Sequence, residues 1–98
     1  MAVDEKTRKA LDLKQLSLPK NLPVVSLDVE EYVDSYGEDA LRIWVVLPEE
    51  FDPLNIEGDD VIALKSAIDR SLLDRQVTLF PYIHLVKASE LEEMRERR

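Results

Sequence analysis

No cysteine occurs among the 98 residues, which removes disulfides, thiolate metal sites and cysteine nucleophiles together and fits a reducing compartment. One histidine, His84, leaves no metal site with two imidazoles and confines any histidine-paired nucleophile to one position. Two glycines, Gly37 and Gly58, are too few for a glycine-rich phosphate loop. No apolar run approaches the roughly 20 residues of a membrane helix. The opening MAVDEKTRKALDLK is charged from its fourth residue and has no signal-peptide core. These absences lead us to expect a soluble, cytoplasmic protein without membrane contact.

Cations are missing where anions crowd. Between Asp28 and Asp60 twelve acidic side chains stand against Arg42 alone, and the whole chain carries a net charge of −8. Nucleic-acid affinity rests on cations that displace counterions from phosphate, so this balance argues against DNA or RNA. It favours a basic partner, or simply solubility.

What is present suffices for one small domain: hydrophobic residues make up 45% of the chain. Val3 to Leu16 read as a helix, with Val3, Thr7, Ala10, Leu11 and Lys14 at helical spacing. Pro19 and Pro23 then impose an extended connector, so residues 1–23 form a helical arm that docks late or frays. The core domain spans 24–88. Residues 89–98 form a short C-terminal helix or tail, opened by a capping box of Ser89 and Glu92.

Within the core the period first becomes two. Val25, Leu27, Val29 and Val33 alternate with Ser26, Asp28, Glu30, Tyr32 and Asp34, and after Gly37 the apolar set resumes at Leu41, Ile43, Val45 and Leu47. Pairing Val33 with Leu41 puts Val29 opposite Val45 and Leu27 opposite Leu47, all on one face. Glu31, opposite Ile43, disagrees, and needs a bulge or a strand edge. The loop PEEFDPLNIEG should tuck Phe51, Leu54 and Ile56 beneath the domain. Val61, Leu64, Ile68 and Leu72, widened by Ala67, then mark a helix with Asp59 and Asp60 in its first turn. Val77 to Lys87 reads as a third strand with Val77, Leu79, Ile83 and Leu85 inward, and Pro81 assigns it to a sheet edge or gives it a bulge.

The expected fold is therefore α+β: a two-layer sandwich in which a three-stranded mixed sheet, a hairpin plus a third strand, carries one main helix on one face, in the order α-β-β-α-β-α. That order resembles small RNA-binding and subunit-contact domains, a likeness of fold alone. The RNA loop of that shape needs a GxxG, which glycines at 37 and 58 cannot form.

Chemistry-bearing groups are sparse. The YGED turn lacks calcium-loop spacing, and reads as a hairpin loop, Ser35 to Asp39, with Gly37 at positive φ. Glu30 with Glu31, Glu49 with Glu50 and Asp59 with Asp60 are adjacent, so in strands they point to opposite faces. They read as solvated charge. His84 reads as a packed or half-exposed structural side chain, and Ser66 and Ser71 as helix-surface groups. No catalytic, cofactor-binding or metal residue is assigned, and no cofactor is expected.

The second face of the sheet stands out. Even-numbered positions place Tyr32, Arg42, Trp44, Val46, Phe80, Tyr82 and His84 there, four of the six aromatics in the chain. Three coverings compete: a second copy in a homodimer; the first or last helix, through Leu11 and Leu16 or Leu91 and Met94; or stacked bases, disfavoured by the charge. The leading expectation is a non-catalytic interaction module that self-associates or docks a protein partner through this face. The alternatives are an acidic, antitoxin-like neutraliser of a basic partner and a small carboxylate- or histidine-dependent enzyme.

Overall fold

The computed structural model describes residues 5–14, 16, 18, 19, 22–52 and 55–96. Its elements are α1 (Glu5–Ala10), β1 (Ser26–Val33), β2 (Asp39–Leu47), α2 (Gly58–Asp74), β3 (Phe80–Lys87) and α3 (Ala88–Glu96). The sheet order is β1-β2-β3, with β1 antiparallel and β3 parallel to β2. This is the expected α+β fold in the expected element order. The most continuously apolar strand, DALRIWVVL, takes the centre. Pro81, which has no amide proton to donate, lies on an edge strand.

Leu64, Ile68 and Leu72 are buried on one stripe of α2 and share a core with Leu41, Ile43, Val45 and Leu47. Each such side chain contributes about 1.5–3 kcal/mol by leaving water. Phe51 and Ile56 pack against this cluster as expected, and Leu54 lies outside the described residues. Glu57 occupies the N-cap without a side-chain cap bond, so Asp59 and Asp60 assist the first turn through charge. At the other end Val77 N–H donates to Leu72 O and Gln76 N–H to Leu73 O. This is a Schellman closure, with Gln76 at φ 60° where glycine is usual.

The first helix is shorter than the 3–16 expected. Leu11 N–H still bonds to Thr7 O, but Asp12 N–H turns to Lys9 O and the Asp12 carboxylate accepts Lys14 N–H. A short acidic side chain has taken over the backbone donor, which ends the helix. Val3 and Gln15 fall outside the described residues. Thr7, Ala10 and Leu11 are buried, and the Ser71 hydroxyl of α2 donates to Ala10 O. Ser71 is thus a half-buried contact rather than a surface group.

The hairpin register also differs. Val33 pairs with Asp39, Glu31 with Leu41, Val29 with Ile43 and Leu27 with Val45, a slip of two residues from the expected pairing. The reason is a tighter loop, Ser35–Tyr36–Gly37. Gly37 N–H donates to Asp34 O, and Asp34 N–H to Glu38 O. The Asp34 carboxylate accepts both Tyr36 N–H and Glu38 N–H. That is a turn closed by a left-handed glycine, Gly37 at φ 78°. A slip of two leaves every side chain on its expected face. Glu31 needs no bulge, because β1 is an edge strand and its side chain is exposed.

The last helix starts two residues earlier than the Ser89–Glu92 box predicts, directly off β3. Lys87 N–H donates to the Glu90 carboxylate, and the Ser89 hydroxyl donates to Glu49. The return half of a capping box is thus made by Glu90. Among the described residues no helix is long and apolar enough to cross a membrane.

Candidate functional site

Strand pairing sets the second face out in rows: Tyr32, Ala40 and Phe80; Glu30, Arg42 and Tyr82; Asp28, Trp44 and His84; Ser26, Val46 and Val86. One end of this lattice is apolar, and α3 lies on it. Val46, Val86 and Leu91 are buried together, with Trp44 and Met94 packed against them. Arg95 Nη2 reaches Asp28 Oδ2 at 2.6 Å, tying the far end of α3 to β1.

The other end is left open. Arg42 lies with its guanidinium carbon 3.9 Å from the Tyr32 ring centre and 5.9 Å from that of Trp44. Its Nη1 is 3.4 Å from Glu30 Oε1. Tyr32 meets Tyr82 edge to face at 5.6 Å, Phe80 lies 4.8 Å from Tyr82, and Trp44 stacks on His84 at 4.7 Å, all between ring centres. Ala40, between Tyr32 and Phe80 in its row, is buried. A hollow of about 270 Å³ is lined by Tyr32, Arg42, Trp44, Tyr82 and His84.

The electrostatics follow from these contacts. The Tyr82 hydroxyl donates to Asp34 Oδ2 at 3.1 Å. Partial loss of water, and then the Asp34 carboxylate, push the phenol above its ordinary pKa. Bonds from Glu38 N–H, Tyr36 N–H and the Tyr82 hydroxyl hold Asp34 below the usual carboxylate value despite some desolvation. His84 is pushed below 6.5 by lost hydration, and further by the positive charges of Arg42 and Lys65. It is therefore an uncharged ring against Trp44 at neutral pH.

Of the residues assigned to the second face, Tyr32, Arg42, Trp44, Tyr82 and His84 line the hollow, and Phe80, 62% exposed, lies beside Tyr82. Val46 lies elsewhere, under α3. Asp34 and Glu30, which fix Tyr82 and Arg42, are additions to that set; on α3, Leu91 and Met94, one of the competing coverings of this face, pack on its apolar end, and Arg95 is a further addition. With Asp28, Glu30, Arg42 and Trp44 these three help to line a second cleft of about 260 Å³. Parity alone would have found Glu30 and Asp34, since both share the side of β1 that carries Tyr32. Among the described residues no cluster of His, Asp or Glu could hold a metal. Of the adjacent acidic pairs only Glu30 and Glu31 lie in a strand, and they split as expected, Glu30 to Arg42 and Glu31 to the exposed edge; Glu49 and Glu50 lie in the turn after β2, and Asp59 and Asp60 in the first turn of α2.

The chain matches no protein-family model, no curated protein and no solved structure.

Proposed function

We propose that this chain is a non-catalytic protein-interaction module that engages a second copy or another protein through the open half of the second face. The observation that supports the reading is the assembly of Tyr32, Trp44, Phe80 and Tyr82 with Arg42 on one uncovered stretch of sheet, Phe80 being 62% exposed. Aromatic and arginine side chains dominate interface hot spots, because they bury much area at little entropic cost. Here the sheet has already fixed their positions. Asp28, Glu30 and Asp34 beside the patch favour a partner with a basic rim, which is also what an acidic neutraliser would need.

Light scattering on protein purified from its own host, with and without the double substitution Phe80→Ala/Tyr82→Ala, tests the reading. The parent chain should have the mass of a dimer or of a defined complex. The double variant should return to monomer with an unchanged circular dichroism spectrum. A parent chain that is monomeric alone and binds nothing, or a complex indifferent to both substitutions, overturns it.

A further inference from the structure

The two edges of the sheet are built differently. On β3 the edge carries Pro81, and Lys65 and Asp69 of α2 stand beside it around a cleft shared with Tyr82 and His84. A proline and flanking charges are common guards against strand addition. The β1 edge has no proline, and its pairing with β2 runs unbroken from Ser26 to Val33.

The hairpin closure fixes which backbone groups of β1 face outward. Asp34 N–H donates to Glu38 O, so in this register the even-numbered residues of β1 bond to β2. Leu27, Val29, Glu31 and Val33 then point their N–H and C=O away from the sheet. Among the described residues none of these four makes a backbone bond outside the β1–β2 ladder. The side chains of this edge are also uneven. On the core side Val33 is 61% exposed, and Leu27 and Val29 are only partly covered; Val25, expected inward, is 57% exposed just before β1 and gives its N–H to Val46 O, while Val24 packs against the core instead. A cleft of about 410 Å³ opens beside Glu31, Val33 and Leu79. On the other side stand Asp28 and Glu30, paired with Arg95 and Arg42 but each with part of its carboxylate still in water.

We propose that the β1 edge accepts an extended segment of a partner protein in which basic and apolar side chains alternate, as a fourth strand. Its main chain satisfies the outward groups of Leu27, Val29, Glu31 and Val33, as in other cases of strand addition. Its apolar row continues the row of Leu27, Val29 and Val33 and seats in the adjoining cleft. Its basic row faces Asp28 and Glu30, where opposite charges across neighbouring strands are favourable. A second copy of this chain fits poorly. Centred on Val29, antiparallel self-pairing sets Asp28 opposite Glu30 twice; centred on Glu30, it sets Glu30 opposite itself. Like charges directly opposed are destabilising. This edge borders the aromatic hollow through Tyr32 and Glu30, but the bonds that carry the proposal are those of the β1 main chain, which the rings do not make, so it is tested independently of the hollow.

The probe is an acetylated, amidated peptide of alternating lysine and valine, with an alternating glutamate and valine peptide as control. The readout is amide hydrogen exchange of the full chain by NMR. The lysine peptide should slow exchange at Leu27, Val29, Glu31 and Val33 by about tenfold or more at saturation, while the even-numbered amides change little. The glutamate peptide should not. Glu31→Pro removes one outward donor at an exposed position and keeps the bonds to β2. It should fold, with β1–β2 exchange protection intact, and bind the lysine peptide about tenfold more weakly. Three results overturn the proposal: no protection at the four odd-numbered amides, equal binding by Glu31→Pro, or protection of those amides in the free chain that disappears on dilution. The last would assign the edge to a second copy.

Discussion

Two faces of one sheet, built from alternate residues of the same strands, have opposite fates. On the odd face Leu41, Ile43, Val45 and Leu47 are wholly buried beneath α2. On the even face Ala40, Arg42, Trp44 and Val46 pass from an open aromatic patch to a small apolar cluster under α3. A uniformly aliphatic face can be closed by one helix. A face of mixed chemistry is closed only where it is aliphatic, so α3 stops where Arg42 and the tyrosines begin. The largest test of this contrast is Ile43→Ala against Phe80→Ala. The first leaves a cavity at the centre of the core and should cost about 2–5 kcal/mol. The second removes a ring already in water and should cost less than about 1 kcal/mol. Guanidinium melts of the two variants measure the difference, and similar midpoints would erase the distinction between the faces.

The division within the even face is tested next. Leu91 is 6% exposed and holds α3 to Val46 and Val86. Because the cluster is small, Leu91→Ala should fall at the low end of large-to-small substitutions, at about 2 kcal/mol. Its signature is local: Trp44 emission should move to the red and iodide quenching rise, with the core melt otherwise cooperative. Unchanged emission would mean that α3 does not shield Trp44.

A smaller effect lies at the C-terminus of α2, the helix that covers the odd face. Gln76 sits at positive φ in the Schellman closure, where a side chain costs about 1–2 kcal/mol relative to glycine. Gln76→Gly relieves that cost but raises the entropy of the unfolded chain, so the expected gain is about 0.5–1 kcal/mol. A rise in the thermal midpoint checks it. A fall would show that Gln76 makes a compensating contact.

Much of this architecture is legible in the sequence because it follows from periods. Leu64, Ile68 and Leu72 declare a helix face, and the alternation from Leu41 to Leu47 assigns each side chain to its layer whatever the register. Register itself depends on a single carboxylate: Asp34 caps Tyr36 and Glu38 and tightens the loop. No hydrophobic pattern records such a bond. The end of α1 is likewise set by Asp12, through one local competition for a backbone donor. In the candidate site parity brought the rings together, but the placing of α3 did not follow from parity. The helix starts where Glu90 can reach Lys87 N–H, which decides that Val46 is covered and Tyr82 is not.

The smallest expected effect belongs to His84, on the open half. Its folded pKa lies below the unfolded 6.5, first through lost hydration and then through Arg42 and Lys65. As pH falls through 6.5 the unfolded chain therefore takes up the proton before the folded one does. The contribution of His84 to stability is complete above that pH and is lost on acidification until the folded ring also protonates. His84→Gln should flatten the stability profile between pH 7 and pH 5 relative to the parent, while leaving the acid limb below pH 4, where Asp34 titrates, unchanged. The ring is exposed, so the difference should be small and is best read as paired urea midpoints at matched pH. A parent chain that gains stability relative to the variant on acidification would reverse the sign. It would mean that the charged ring finds an attractive partner, Asp28 in the same row of the sheet or Asp69 beside the β3 edge, and the patch around Trp44 would then be a cationic site at low pH instead of a neutral aromatic one.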